Sequence, residues 1–494
     1  MQFHIPYHSY LEQYPSKRLA LYHAIRDSIA AQVFVKDTRL PSSREMAVLF
    51  GLSRGTVNEV YDMLSAEGYI SSGVGKGTFV AFQPSTKRGA DTPCQELNVL
   101  SDWGMRLKEI EERRDENSGI RIKASLRVAN FKEFGPGTQW FPDKEWNRNL
   151  YAQARLLHSS DQMHRLVSTL GDDRLRDSIA QYIRRARGIA ADPSQVIVFN
   201  GSKQALALTA QLFINPGDRV VVENPGYTGA IHIFQTLGAS CVHASIDGQG
   251  IIPDDWQAKL LLVTPNRQFP TGAVLTMERR QRLLAWASEN NALILEDDYD
   301  SVFRHRGKSL EPLKVLDSEG RVIYIGSFSN TLLPHVRIGY AVVPTSLVPV
   351  FARAKGVFEP NPSNLLEQRT LASWMHNGQY ERHLRRMKRV YGKRFKMLQE
   401  LLSTHVSHLF HWIEADAGLS IFGWWRGTTG QYVTFRTKCS EEGIYWSDTC
   451  IREETGEGMN QYGAYFYFPR MSEDDMIYGI MKMKEIWASL VVEG

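Results

Sequence analysis

Between residues 196 and 303, short apolar runs alternate with segments of helical periodicity, and this alternation restricts the fold more than any other feature. VIVFNGSKQALALTAQLF (196–213) reads as a strand, a turn and a helix, and RVVVENPGYTGAIHIF (219–234) repeats the scheme. LLLVTPNRQFPTG (260–272) is a buried strand that runs into a proline-bearing loop, and ALILEDDYDSVF (292–303) is a further strand. Uninterrupted apolar strands interleaved with helices require a sheet covered on both faces. The expectation is an α/β domain, with any ligand beyond the carboxyl ends of the strands.

Each polar motif in this region follows a strand. Gly201-Ser202-Lys203-Gln204 opens a helix, where free amides, the Ser202 hydroxyl and the Lys203 amine form an anion site, although simple capping produces the same pattern. Glu296-Asp297-Asp298-Tyr299-Asp300 sets four acids around a tyrosine; taken alone it reads first as a metal-binding loop or a solvated turn. YIGSFSNTLLPHVRIGY (324–340) begins as a strand and passes through Gly326, Ser327 and Ser329 before Arg337. Hydroxyls, exposed amides and a planar guanidinium suit a phosphate ester.

With 494 residues the chain exceeds one ordinary core, so two or more domains are expected. A net charge of +4 means that nucleic-acid contact must come from local placement of cations. Cys94, Cys241, Cys439 and Cys450 form no C-x-x-C pair, which argues against a disulfide framework or a zinc site and for a reducing compartment. No run approaches the roughly 20 apolar residues of a bilayer span, and the first residues lack the basic-then-apolar pattern of a signal peptide. The expectation is a cytoplasmic protein without membrane contact or metal.

Residues 1–82 form a separate module. Leu21, Tyr22, Ile25 and Ile29 recur at helical spacing. In LPSSREMAVLFGLSRGTVNEVYDMLSAEGYI (40–70), Pro41 with Ser42 or Ser43 enters a short helix, Gly51 turns, and Ser53 caps a helix carrying Val57, Val60, Tyr61 and Leu64. Two helices joined by a short glycine turn read as a helix-turn-helix, although any small three-helix bundle shows such a turn. Gly68-Tyr69-Ile70 and Gly75-Lys76-Gly77-Thr78-Phe79-Val80 form a hairpin, read as a wing. Residues 83–125 are polar and aperiodic, a linker in which Arg106–Arg114 is a charged helical run. The remainder, 126–494, is the large domain.

These motifs resemble those of the MocR-type regulators, GntR-superfamily transcription factors whose C-terminal half is similar to a fold-type-I, pyridoxal-phosphate aminotransferase. L-P-S-S-R, L-S-R-x-T-V and G-x-G-T-F-V occur in the GntR order and spacing, and 324–340 resembles S-x-S-K-T-L-x-P-x-x-R-x-G-Y. The resemblance implies a winged helix-turn-helix that binds a double-stranded DNA operator through Arg44, Ser53, Arg54, Thr56, Asn58, Lys76 and Gly77. Two family glycines before L-P are here Gln32 and Asp37. Met1–Arg88 holds ten Lys and Arg against seven Asp and Glu, so one head binds weakly and a homodimer is expected.

In the large domain the resemblance implies a cofactor site. Ser202, Lys203, Ser327, Ser329 and Arg337 surround a phosphate, Tyr227 lies against a pyridine ring, and Asp297 and Tyr299 meet its nitrogen and 3-oxygen. Asn266 and Arg267 stand where the family's loop has Ser and His. Position 330, the family's Schiff-base lysine, is Asn330. A carboxamide nitrogen is delocalised into its carbonyl and cannot condense with an aldehyde, so no catalytic residue is expected. Lys203, Lys308 and Lys314 have no spacing that supports a substitute, and the basic helix 381–398 is structural in the family. The family's carboxylate-gripping arginine aligns with Tyr465, a few residues before Arg470. The expectation is a regulator that senses a small-molecule effector and binds pyridoxal phosphate non-covalently if at all. The alternatives are a pyridoxal-phosphate aminotransferase with an accessory DNA-binding head, or a scaffold regulator that has lost the cofactor.

Overall fold

The computed structural model describes residues 3–73, 77–83, 100–115, 127–158, 168–300, 302–307, 310–414, 416–451 and 460–493. They divide into two compact units, Met1–Val99 and Leu100–Gly494.

The first unit runs α1 (Tyr7–Gln13), α2 (Lys17–Ala30), β1 (Arg39–Leu40), α3 (Ser43–Phe50), α4 (Arg54–Ala66), β2 (Ile70–Gly73) and β3 (Gly77–Val80). Local chemistry sets the helix starts. Ser16 caps α2, Ser42 and Glu45 close a capping box on α3, and Ser53 caps α4. Gly51, at φ 63°, turns the chain out of α3, a backbone conformation that costs glycine nothing. Leu21, Ile25 and Ile29 meet Met46, Val57, Val60 and Leu64 in one core, closed by Ile70 and Val80. The three strands pair antiparallel in the order β1-β3-β2, so the predicted hairpin is present and carries an extra strand. Helix α1, which the sequence reading lacks, adds Tyr7 to this core.

Gln32 and Asp37, which the resemblance sets at two glycine positions, have a structural consequence. Gln32 and Asp37 lie at φ 59° and 67°, in the left-handed region where a Cβ crowds the carbonyl. Gln32→Gly should therefore stabilise this unit by about 0.5–1 kcal/mol, the strain relieved less the entropy of a freer unfolded chain. Urea unfolding followed through the head's tyrosines checks this; an unchanged or lower midpoint would mean that the Gln32 side chain offsets its strain.

The second unit opens with α5 (Asp102–Asp115), β4 (Ala129–Asn130), α6 (Asp143–Leu157) and α7 (Asp173–Arg187). Arg106 on α5 donates to the Thr236 carbonyl at 2.8 Å, so part of the charged run placed in the linker is docked. The sheet-building stretch follows as β5 (Val196–Phe199), α8 (Ser202–Phe213), β6 (Arg219–Asn224), α9 (Thr228–Thr236), β7 (Ser240–Asp247), β8 (Gly250–Ile251), β9 (Leu260–Val263), α10 (Met277–Glu289), β10 (Leu293–Asp298), α11 (Leu313–Leu316), β11 (Val322–Ser327) and β12 (Gly339–Val342). The chain continues through α12 (Val348–Phe358), α13 (Leu365–His376), α14 (Gln379–His405), β13 (Phe410–Trp412), β14 (Ser420–Trp425), α15 (Thr429–Glu441), β15 (Ile444–Tyr445), β16 (Ser447–Ile451), β17 (Gln461–Tyr467) and α16 (Glu473–Glu493).

Eight strands form one sheet in the order β5-β12-β11-β10-β9-β6-β7-β8. Neighbours from β11 to β7 are parallel, while β12 runs against both β5 and β11. The apolar runs are continuous because both faces are covered: Val220, Val222, Leu260 and Leu262 enter one core, and Val221, Leu261 and Val263 enter another. A second, antiparallel sheet, β13-β14-β17-β16, packs with α14 and α16 around Trp425, Trp446 and Phe466. On α14, Met387, Tyr391, Phe395 and Leu398 are buried and Arg382, Arg385, Arg386 and Arg389 are exposed, the division expected of a packed amphipathic helix. Among the described residues no helix is long and apolar enough to cross a membrane.

Candidate functional site

In the first unit the residues named for DNA contact fall into two kinds. Arg44, Arg54 and Asn58 are exposed, and neither arginine enters an ion pair among the described residues. Arg44 and Asn58 line a concavity of about 1180 Å³ together with Ser43, Ser72, Gly77 and Thr78. Ser53 and Thr56 are instead engaged with each other: the Thr56 amide donates to Ser53 Oγ at 3.0 Å, and the two hydroxyl oxygens lie 2.8 Å apart. Their role is first to start α4 and so to aim Arg54 and Asn58. Gly77 begins β3, and Lys76 lies outside the described residues. Arg39 was missed by sequence reasoning, because it precedes the Leu-Pro motif and matches no pattern. It is exposed and lines the same concavity, its guanidinium 3.1 Å from where a Cβ on Gly77 would stand.

In the second unit the carboxyl ends of β5, β10 and β11 assemble the cleft. After β5, Gly201 at φ 91° caps α8; a side chain there would collide with Arg337, whose Nη2 lies 2.7 Å from the Cβ position. The guanidinium thus stands over the first turn of α8, beside Ser202. Arg337, itself at φ 49°, is exposed and enters no ion pair among the described residues. Helix-start amides, a hydroxyl and an open guanidinium make one end of the cleft an anion cradle. Ser327 Oγ donates to Ser329 Oγ at 3.0 Å and accepts the Ser329 amide at 3.1 Å, which shapes the turn after β11. Lys203 is exposed, with Nζ 6.0 Å from the Tyr227 ring centre.

Tyr227 is half-buried. Its hydroxyl is pushed up to about 12 by burial and by Asp297, against the pull of Arg337. Phe269, unremarked in the sequence, packs edge-on against Tyr227, Tyr299 and Tyr465 at 5.9, 5.5 and 5.6 Å. Its place in the proline loop carried no chemical signal; the tertiary fold makes it the centre of an aromatic cluster.

The other end is acidic and buried. Asp297 is 6% exposed, and burial with Asp298, Glu223 and Asp300 nearby raises its carboxyl to about 7. Its Oδ1 has no hydrogen-bond partner. Asp298 is paired with Arg187 and accepts from the Tyr324 hydroxyl at 2.5 Å, so of these two adjacent acids Asp297 is the one with an unmet atom. Asn330 is 4% exposed; its Nδ2 donates to the Tyr299 carbonyl at 2.9 Å and its Oδ1 is unpartnered. Asn266 does not join this group by any hydrogen bond: its Oδ1 accepts from Arg280 at 3.0 Å, a buried guanidinium that also holds the carbonyls of Pro265, Leu275 and Glu311. Arg267, beside it, bonds Asp300 at 3.1 Å and the Ser420 carbonyl at 3.0 Å.

Of the other candidate amines, Lys314 is committed elsewhere. Lys314 donates to Asp317 at 2.9 Å and to the Val322 carbonyl at 2.7 Å, and Lys308 lies outside the described residues. Arg470 donates to the Pro136 carbonyl at 3.3 Å and faces Glu133 at 3.6 Å, so it braces the entry loop. Among the described residues no group of three or more His, Cys, Asp or Glu is placed to hold a metal ion. In the acidic loop 296–300, Glu296 accepts the Leu313 and Lys314 amides, and Asp300 pairs with Arg267.

Comparison with known proteins bears on both units. Residues 17–80 match the family model of bacterial regulatory proteins, gntR family, and residues 142–455 match aminotransferase class I and II. The chain is 35% identical to the probable rhizopine catabolism regulatory protein MocR of Rhizobium meliloti, over 96% of this chain and 94% of that one. The chain belongs to the MocR-type regulators. It is also 33% identical to the pyridoxine biosynthesis transcriptional regulator PdxR of Corynebacterium glutamicum, over 76% of this chain and 77% of that one. Among solved structures, the kynurenine aminotransferase of Pyrococcus horikoshii superposes with a TM-score of 0.66 at 24% identity, covering 77% of this chain and 94% of that one. This MocR-type chain is therefore a DNA-binding transcriptional regulator whose second unit has the fold of an aminotransferase.

Proposed function

We propose that the second unit of this MocR-type regulator is a non-catalytic sensor, which holds a pyridine phosphate of the pyridoxal type reversibly and without a covalent bond. One observation carries the reading: Asn330, at the position where the resemblance sets a Schiff-base lysine, donates to the Tyr299 carbonyl at 2.9 Å and offers no amine to an aldehyde. The residues present fit the group. The Gly201–Arg337 cradle would receive its phosphate, Tyr227 would cover the ring, and the unmet Oδ1 of Asp297 would accept from the ring nitrogen. When bound, pyridoxal phosphate supplies an aldehyde that condenses with primary amines. Asn330 provides no such amine and no base able to move a proton, so turnover is not expected. The effector's role is to shift the population of conformations in which the heads are spaced for their operator. A homodimer is part of this proposal, because one modestly charged head binds DNA weakly; light scattering of the full chain tests it.

The test of the sensor reading is borohydride treatment of the full chain with pyridoxal phosphate, followed by peptide mapping. The expected result is a spectral or thermal response that dialysis reverses, with no pyridoxyl group fixed in the cleft. Stoichiometric fixation at Lys203 would instead support the enzyme with an accessory head. Absence of any response at millimolar ligand would support the scaffold. Arg337→Ala should weaken binding about 10- to 100-fold, the worth of one charge-assisted contact. Asn330→Lys should restore a borohydride-fixable bond if the rest of the cleft is intact.

A further inference from the structure

At the acidic end three buried acceptor atoms have no donor in the chain: Asp297 Oδ1, Asn330 Oδ1 and Asp300 Oδ1, the last on a carboxylate already paired with Arg267 through its other oxygen. Asp297 Oδ1 and Asn330 Oδ1 are both buried and without a donor, on residues 6% and 4% exposed. Native chains leave few buried polar atoms unpaired, so each calls for a partner that the chain itself lacks. The two belong to neighbouring chain segments, β10 and the turn after β11. Asp297 faces Ile325 in the parallel β10–β11 register, and Asn330 lies in the turn that leaves β11.

The carboxamide of Asn330 has one sensible orientation. Its Nδ2 donates to the Tyr299 carbonyl at 2.9 Å, and reversing the amide would set two oxygens against each other. What remains free is therefore an acceptor only. At the opposite end of the cleft the free groups are donors: the start of α8 and the Arg337 guanidinium. A ligand matched to both ends carries an anion at one and N–H groups at the other. An aldehyde oxygen is an acceptor, and placed against Asn330 Oδ1 it would bring lone pair to lone pair. An aminomethyl group, protonated at neutral pH, has three N–H donors and a positive charge.

We infer that the cleft selects the amine form of a pyridine phosphate, pyridoxamine 5′-phosphate, over the aldehyde form, with Asn330 Oδ1 accepting from the ligand's ammonium and Asp297 Oδ1 from its ring N–H. The inference rests on the sensor reading above and adds which ligand the sensor reports. The residue that removes covalent chemistry is on this account a recognition residue for the product of amination.

Isothermal titration of the dialysed full-length chain tests it, using pyridoxamine 5′-phosphate, pyridoxal 5′-phosphate, 4-deoxypyridoxine 5′-phosphate and inorganic phosphate. The 4-deoxy compound carries a methyl group, keeps the ring and phosphate, and cannot react with surface lysines. The amine form should bind at least about tenfold more tightly than the aldehyde and 4-deoxy forms, the worth of one charge-assisted hydrogen bond. Asn330→Ala should lower affinity for the amine form by a similar factor and leave the 4-deoxy form within about threefold. Equal affinity for the amine and 4-deoxy forms, or tightest binding of the aldehyde, overturns the selectivity while leaving the sensor reading standing. No binding of any pyridine phosphate overturns both. The wild-type comparison decides the matter even if the variant does not fold.

Discussion

Arg267→Ala should destabilise the second unit by about 3–5 kcal/mol, the cost of leaving one partner of a buried ion pair uncompensated. The surroundings of Arg267 are built for a guanidinium. It pairs with buried Asp300 at 3.1 Å and reaches across to β14, where the Ser420 carbonyl and hydroxyl accept at 3.0 and 3.3 Å. Gly418, at φ 95°, admits it, because a Cβ there would overlap the guanidinium. The arginine thus ties the end of the large sheet to the small one. Burial already holds the Asp300 carboxyl up at about 6 despite the pull of Arg267, and removing the arginine raises it further. The folded variant keeps a proton that the unfolded chain releases near pH 4, so its stability falls as pH rises from there to the raised value. The difference from wild type should accordingly be larger at pH 8 than at pH 5.5 in urea unfolding. Arg267→Ala combined with Asp300→Asn should recover much of the loss, because no buried charge is then stranded. A pH-independent loss below about 1 kcal/mol would show instead that the pair contributes no more than a surface contact.

Arg44→Ala with Arg54→Ala should abolish operator recognition while leaving the fold in place. Both side chains are exposed, and neither enters an ion pair among the described residues, so their removal costs the head little. Each arginine at a base edge or phosphate contributes about 1–3 kcal/mol, giving a combined loss of roughly 10²- to 10⁴-fold. The measurement is fluorescence anisotropy of the full chain on a duplex selected in vitro with the wild type, at two salt concentrations. An arginine on phosphate flattens the salt dependence by about one unit of slope, whereas one on a base edge relaxes sequence preference. Arg39→Ala belongs in the same series. A double variant that binds the selected duplex as wild type does would move the interface away from α3 and α4.

The sequence by itself determined the architecture. Apolar runs at 196–199, 220–222, 260–263 and 293–295 are legible because strands covered on both faces need no polar alternation. The head is legible because caps and turns are local: Ser42 with Glu45, Gly51 and Ser53 each act within four residues. The identity of Asn330 and the chemistry it forbids are likewise properties of one side chain.

What the tertiary structure alone decided is which polar atoms meet. Of two adjacent acids, Arg187, 111 residues distant in sequence, takes Asp298 and leaves Asp297 with an unmet oxygen. Asn266, expected beside the ligand, gives its oxygen to Arg280. Phe269 gathers Tyr227, Tyr299 and Tyr465 from separate elements. Pairing of this kind depends on distances of about 3 Å between groups remote in the chain, set by how the sheet and its covering helices pack. No spacing along the sequence encodes it.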